Sequence, residues 1–246
     1  MNLILLEPTE VPVSGPVELS GRRAEHIIKV LGCKPKDQVR VGVVDGARGH
    51  GTVLDLSSGR VTLDLVLDSP APPAPPVDLI LALPRPIMLR RILSTVAAMG
   101  VGRVFLVNAR RVEKSFFAAT IVAKREFRSH LLLGLEQAMD TRLPLVSVHD
   151  RFRPFVEDEL PPLLHHYDAR LFANPGPEDT FRLLWDQGGA RTRIVVAIGP
   201  EGGWIDYERD RFLELGFVTA SCGPRVLKVD TAVAALLSRA WLLISP

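Results

Sequence analysis

Cysteine is nearly absent. Cys33 and Cys222 are the only two in 246 residues, enough for one bridge at most, so the chain is no disulfide scaffold. Excess charge of one sign is lacking too. Lys plus Arg number 30 against 28 Asp plus Glu, a net +2, which excludes a bulk polycation that coats nucleic acid by charge alone. Long hydrophobic runs are missing. The N-terminus, Met1-Asn2-Leu3-Ile4-Leu5-Leu6-Glu7, has no basic region and too short an apolar run for a signal peptide. The apolar tail Thr231 to Ser245 carries Arg239 and falls short of the ~20 residues of a spanning helix. A cytoplasmic protein without a membrane segment is expected. That tail reads either as a buried core helix or as a dimer-interface helix. Aromatic residues are scarce at 6%, whereas 20 Pro and 19 Gly promise sharp loop boundaries.

What is present is an ordinary globular balance, 47% hydrophobic and 24% charged. It is enough for a core and excludes disorder over most of the chain. One break stands out. Asp68-Ser69-Pro70-Ala71-Pro72-Pro73-Ala74-Pro75-Pro76 reads as a stiff, extended spacer, because proline fixes φ and removes the donor. Before it, Val39–Val43, Val53–Leu56 and Arg60–Leu67 are strand-like, Asp45-Gly46 and Ser58-Gly59 are turn signals, and one helix is expected over Gly21–Leu31. After it, strand and helix alternate. Strands are expected at 79–83, 104–107, 170–173, 194–198 and 217–220. Helices are expected at 88–99, 119–139, 180–186, 206–215 and 230–244. This rhythm argues for a parallel sheet covered on both faces. The chain thus divides into residues 1–70, a linker at 71–77, and an α/β domain at 78–246.

Charge is uneven along the chain. Between Arg85 and Arg128 lie ten basic residues and two acidic ones, a local +8, so the remainder sums to −6. Clustered guanidinium groups suit phosphate backbones. A solvated face on two helices and a loop would carry the same charges.

Three segments carry chemistry. Gly199-Pro200-Glu201-Gly202-Gly203 follows the most apolar strand and precedes a helix. In open α/β sheets ligands bind beyond the carboxyl ends of strands, and adjacent glycines let backbone N–H groups approach a ligand. No Gly-Lys-Ser/Thr follows, and Glu201 would repel a polyphosphate, so the loop suits a neutral or cationic ligand. The second segment is Cys222-Gly223-Pro224-Arg225-Val226-Leu227-Lys228-Val229-Asp230-Thr231-Ala232. It is a Gly-Pro turn before an Asp/Thr-capped helix, with cations bracketing apolar residues. The third is Glu136-Gln137 with Thr141-Arg142-Leu143-Pro144, which on its own reads as a solvated helix end. His165-His166 lacks companions at metal spacing, so no metal site is expected.

In this order and spacing the three segments resemble the bacterial 16S ribosomal RNA uridine-N3 methyltransferase family of the SPOUT superfamily. His26-Ile27-Ile28-Lys29-Val30-Leu31 with Asp45-Gly46 is similar to that family's small RNA-binding barrel. The resemblance implies a SPOUT-type parallel sheet with a deep trefoil knot, a topology that composition and periodicity do not reveal, and an N-terminal PUA-like β-barrel. It implies a homodimer acting on small-subunit ribosomal RNA or its particle. It implies S-adenosylmethionine held by Phe172, Ile198, Gly199, Pro200, Glu201, Gly202, Gly203, Cys222, Gly223, Val226 and Leu227. Arg225 becomes the candidate catalytic residue, positioning the base or stabilising its developing charge. Glu201 and Asp230 stand as alternative bases. Arg22, Arg23, Lys29, Arg85, Arg110, Arg111, Arg142 and Lys228 become the RNA contacts. Thr95-Val96-Ala97-Ala98-Met99-Gly100-Val101 departs from the family's Lys-Ala-Thr-Glu-Leu-Gly-Val, and Lys228 and Asp230 replace its Arg and Glu. These departures keep open a non-catalytic or retargeted RNA-binding dimer of the same fold. A small-molecule enzyme that binds nucleotide phosphates is the third possibility, and Glu201 argues against it.

Overall fold

In a computed structural model, which describes residues 2–176, 180–186, 188–189 and 191–244, the period-2 runs of the N-terminal region become one five-stranded sheet. Its strands are β1 (Ile4–Leu6), β2 (Val17–Leu19), β3 (Gln38–Val43), β4 (Arg48–Ser57) and β5 (Arg60–Ser69), in the order β1-β3-β4-β5-β2. Only β1 and β3 pair in parallel. The two long strands meet at Ser58-Gly59, whose φ values of 50° and 76° are the left-handed pair that a two-residue hairpin turn requires. β1 and β2 have three residues each, too few to display a period, and the sequence did not announce them. Asp68 and Ser69, expected in the spacer, instead complete β5, with Ser69 opposite Arg48. Residues 70–76 then run without regular structure. The expected helix is α1 (Gly21–Glu25) continued by a wider turn over His26–Val30. Inward residues Ile4, Leu6, Leu19, Ile27, Val41, Val61 and Leu63 form the core of this unit.

The chain divides into two units, Met1–Ala74 with Leu132–Leu143, and Pro75–Leu131 with Pro144–Pro246. Residues 132–143 join the first unit through specific bonds. Asn2 and Leu3 N–H both donate to the Glu136 carbonyl at 3.1 Å, and Asp45 N–H donates to the Thr141 carbonyl at 2.8 Å. Thr141, fully buried, donates its hydroxyl to the Gly46 carbonyl at 2.8 Å.

The second unit holds six strands: β6 (Val77–Ala82), β7 (Val101–Val107), β8 (Leu145–His149), β9 (Ala169–Ala173), β10 (Ile194–Ile198) and β11 (Val218–Ala220). Their order is β11-β9-β10-β6-β7-β8, and every neighbouring pair is parallel. β6 and β10 are buried at every residue, which is why β10, and β6 from Leu79 onward, read as unbroken apolar runs. β8 is an edge strand with no buried residue, and it left no comparable signal.

The helices of this unit are α2 (Pro86–Ala98), α3 (Lys114–Ala118), α4 (Thr120–Ala123), α5 (Arg128–Ala138, which runs on into the first unit), α6 (Phe152–Pro154), α7 (Thr180–Asp186), α8 (Asp206–Glu214) and α9 (Val229–Ile244). The single helix expected over 119–139 is therefore broken, with Arg125 at φ 52° in the gap. In a straight helix at about 100° per residue, Phe127 would point about 140° away from Val122. The break lets Ile121, Val122, Phe127 and Leu131 all be buried. Helical turns over 152–166 were not among the expected elements. Pro161 opens a turn, where its missing N–H costs nothing.

In α9, Val229, Val233, Leu236, Leu237, Ala240 and Leu243 are buried along one stripe, so this segment is a core helix. It starts one residue before the expected Asp230 cap, and Asp230 lies in its first turn. No described helix is long and apolar enough to cross a membrane.

Candidate functional site

A cavity of 270 Å³ lies beyond the carboxyl ends of β9, β10 and β11. Its wall is made of the ends of these strands with the loops that follow them, Ala173 to Pro175, Ile198 to Trp204, and Ala220 to Leu227 without Pro224, and of Val229, Ala232 and Leu236 in α9. Every residue expected to hold a cofactor lines it except Phe172, and Arg225 lines it as well. Phe172 is buried one residue before the wall begins, with its ring stacked on Phe212 at 6.2 Å. Of the two alternative bases, Glu201 lines the cavity and Asp230 does not.

The β10 loop is fixed from below and from the side. Gly203 N–H donates to the Pro200 carbonyl at 2.8 Å, and Gly203 takes φ 72°, a conformation that favours glycine. A Cβ added to Gly202 would stand 3.0 Å from Arg111 Cδ. The Arg111 guanidinium in turn donates to the Gly202 carbonyl. Glu208, buried in α8, accepts N–H bonds from Arg110 at 2.7 Å and from Ile205 at 3.0 Å. It thereby clamps the loop after β7 to the start of α8.

The β11 loop is fixed by Ser221, also buried. Its hydroxyl donates to the Gly176 carbonyl at 2.7 Å and accepts from Gly223 N–H at 3.0 Å. Arg239, the one charge in the apolar part of α9, donates to the Ser221 carbonyl at 2.9 Å and lies 5.3 Å over the Phe181 ring. Beyond Ser221 the loop is open: Arg225 is exposed and Val226 is 80% exposed. Cys222 is exposed in the wall and forms no disulfide. Sequence reasoning missed Glu208, Ser221 and Trp204, since a lone Glu, Ser or Trp beside a glycine loop carries no pattern.

The expected RNA contacts fall in different surroundings. In the first unit, Arg22 donates twice to buried Glu136, at 2.7 and 2.9 Å. Glu136 is only 2% exposed, so where a solvated helix end was expected a buried carboxylate pairs with an exposed guanidinium. Arg23 donates twice to Glu10, at 2.5 and 2.8 Å, and once to the Leu5 carbonyl. The Arg23 bonds hold the Glu10 carboxyl below its ordinary range, against the opposing pull of burial. Arg142 donates to the carbonyls of Pro72 and Asp45. Lys29 is exposed, 3.6 Å from Glu25. In the second unit, Arg85, Arg110, Arg111 and Lys228 are all exposed. His165 and His166 are exposed, and no metal-holding group of acidic, His or Cys side chains exists among the described residues.

Comparison with known proteins shows the family. The model of a family described as an RNA methyltransferase domain matches residues 71–241. The chain is 32% identical over 241 residues to the ribosomal RNA small subunit methyltransferase E of Treponema pallidum, covering 96% of this chain and 88% of that one. Among solved structures, the ribosomal RNA small subunit methyltransferase E of Neisseria gonorrhoeae, bound to S-adenosyl methionine, superposes with a TM-score of 0.73 at 20% identity, over 99% of this chain and 98% of that one. A methyltransferase from Legionella pneumophila, solved with its cofactor SAM, gives 0.70 at 21% identity, over 96% and 95%. At that identity these two matches establish the fold.

Proposed function

The chain belongs to the RNA methyltransferase family, and from that premise we propose that it is an S-adenosylmethionine-dependent methyltransferase that acts on N3 of a uridine in small-subunit (16S) ribosomal RNA. The observation that carries the proposal is the cavity beyond β9, β10 and β11, walled by glycine-bearing loops. Its residues fit the cofactor. Gly199 and Gly202 are packed so closely that a Cβ would meet Trp204 at 3.1 Å and Arg111 at 3.0 Å, which leaves bare backbone facing the ligand. The β10 loop, Gly199 to Trp204, carries Glu201 and no basic residue, which suits a cationic sulfonium.

When bound, S-adenosylmethionine supplies a methyl group on a positively charged sulfur. Gly199–Gly203 and Cys222–Leu227 would hold it, with Phe172 packed beneath. That methyl group would go to uracil N3, whose proton must leave. Holding base and cofactor in line with water excluded is the main contribution the protein makes. Arg225, exposed at the rim, positions the base and stabilises its developing negative charge. Glu201 is the acidic side chain in the wall and takes the proton.

The target nucleotide must be unstacked to reach the cavity. Arg85, Arg110, Arg111 and Lys228 contact RNA in this unit. In the first unit Lys29 contacts RNA directly, while Arg22, Arg23 and Arg142 shape the surface through the partners described above. We read that first unit as a PUA-like RNA-binding barrel, residues 71–77 as the linker, and the last strands with α9 as a deep trefoil knot. We read the assembly as a cytoplasmic homodimer with α9 at its interface.

Mass-spectrometric mapping of ribosomal RNA from cells lacking the protein tests the reading. One uridine N3-methyl group should vanish from the small-subunit RNA and return with the restored gene. An unaltered map with RNA binding retained would instead favour the non-catalytic dimer.

A further inference from the structure

Trp204 holds a donor that the fold does not satisfy. The residue is 7% exposed, and its Nε1–H has no acceptor among the described residues. Trp241 offers the contrast, since its Nε1–H donates to the Met99 carbonyl at 2.6 Å. The Trp204 ring has little room to turn toward a partner. Phe212 packs against it at 5.1 Å between ring centres and Phe152 at 6.0 Å. Gly199 lies against the face of its pyrrole ring, where an added Cβ would stand 3.1 Å from Nε1 and 3.2 Å from both Cδ1 and Cε2. Gly199 and Trp204 are both in the cavity wall, so the unpartnered donor belongs to a residue of that wall.

A buried donor without an acceptor disfavours the state that contains it, and a ligand that brings the acceptor relieves that penalty. We infer that Trp204 is a cofactor-binding residue. Its indole N–H donates to an acceptor atom of the bound S-adenosylmethionine, a ring nitrogen or an oxygen. The unliganded protein thus carries a cost that cofactor binding removes. This rests on the cofactor reading above and adds a residue to that site that no glycine motif announces.

Trp204→Phe keeps an apolar ring and removes the N–H. Calorimetric titration with S-adenosylhomocysteine, which has no methyl group to transfer, should show affinity about tenfold weaker than the parent. Trp241→Phe, which removes an N–H that already has a partner, should leave that affinity within twofold. Without ligand, Trp241→Phe should lower the urea midpoint more than Trp204→Phe does. If the parent binds and Trp204→Phe binds equally well, the indole assignment is overturned and the cofactor reading stands. If the parent does not bind, both fall. Should Trp204→Phe fail to fold, benzothienylalanine at 204, with sulfur replacing the N–H in an otherwise similar ring, carries the same expectations.

Discussion

The two ends of the parallel sheet are built on opposite terms. At the carboxyl ends of β9, β10 and β11 the chain is rich in glycine, one apolar side chain stands 80% exposed, and a buried indole N–H lacks an acceptor among the described residues. At the amino ends the polar groups are closed on one another. Asp78, fully buried in β6, accepts from the Tyr167 hydroxyl at 2.6 Å, from Arg193 at 2.8 Å and from Arg103 N–H at 2.8 Å. Burial, and then the Asp78 charge, push the Tyr167 phenol above its ordinary range, so it stays a donor. Just before β9, Asp168 accepts two bonds from Thr192 and one from Arg193 N–H. Saturated polar networks fix the strands at one end, and glycine backbone with an unpartnered indole N–H remains for a ligand at the other. An open α/β sheet places its ligands at the carboxyl end, and here the amino end supplies the rigidity on which that site depends.

The contrast predicts which substitutions harm folding and which harm chemistry. The largest effect is expected at Asp78→Ala, which strands a partly buried guanidinium and a buried phenol. Urea unfolding should show a loss of about 3 kcal/mol or more, while the fraction still folded binds S-adenosylhomocysteine nearly as before. A normal unfolding midpoint would mean that the amino-end network is ornamental. Arg225→Ala tests the other end. Stability should hold within about 0.5 kcal/mol, because the side chain is exposed. Cofactor affinity should change less than twofold, and methyl transfer to small-subunit ribosomal RNA should drop about 100-fold. Equal turnover would remove Arg225 from the mechanism.

The same contrast explains what could be read from the sequence. The β10 loop was legible because it follows an unbroken apolar strand and contains adjacent glycines, and the β11 loop because a Gly-Pro turn precedes a helix, signals confined to a few adjacent positions. β10 and α7 were expected with the boundaries the structure gives them. The saturated end was not legible. Asp78 sits within an apolar run, and its partner Arg193 lies 115 positions away. Glu136 read as solvated because its partner Arg22 is 114 positions distant, and helical periodicity says nothing about a contact at that range. Ser221 and Glu208 escaped for the same reason: each bonds across 45 or 98 positions to backbone. The broken helix at 124–127 escaped because each residue there tolerates a helix, and only the burial of Phe127 decides against it.

The smallest effect is expected at Asp168, and it shows how far the amino-end network reaches toward solvent. Its carboxyl is held below the ordinary range, first by the Thr192 hydroxyl and then by the N–H groups of Thr192 and Arg193. A lowered folded-state value means that the ionised form is the one the fold prefers. The contribution is therefore fully present above the unfolded carboxylate range, near pH 4, and is lost as pH falls through the lowered folded value. Asp168 is largely exposed, so solvent screening limits that contribution to below about 1 kcal/mol. Asp168→Asn should flatten the acid limb of the stability curve by that amount and leave neutral-pH stability changed by less than about 1 kcal/mol. Cofactor affinity should be untouched, since Asp168 lies at the start of β9 and the cavity lies beyond its end. An affinity that moved with this substitution would show that the two ends of the sheet are coupled, and that the division of labour between them is not as sharp as the geometry implies.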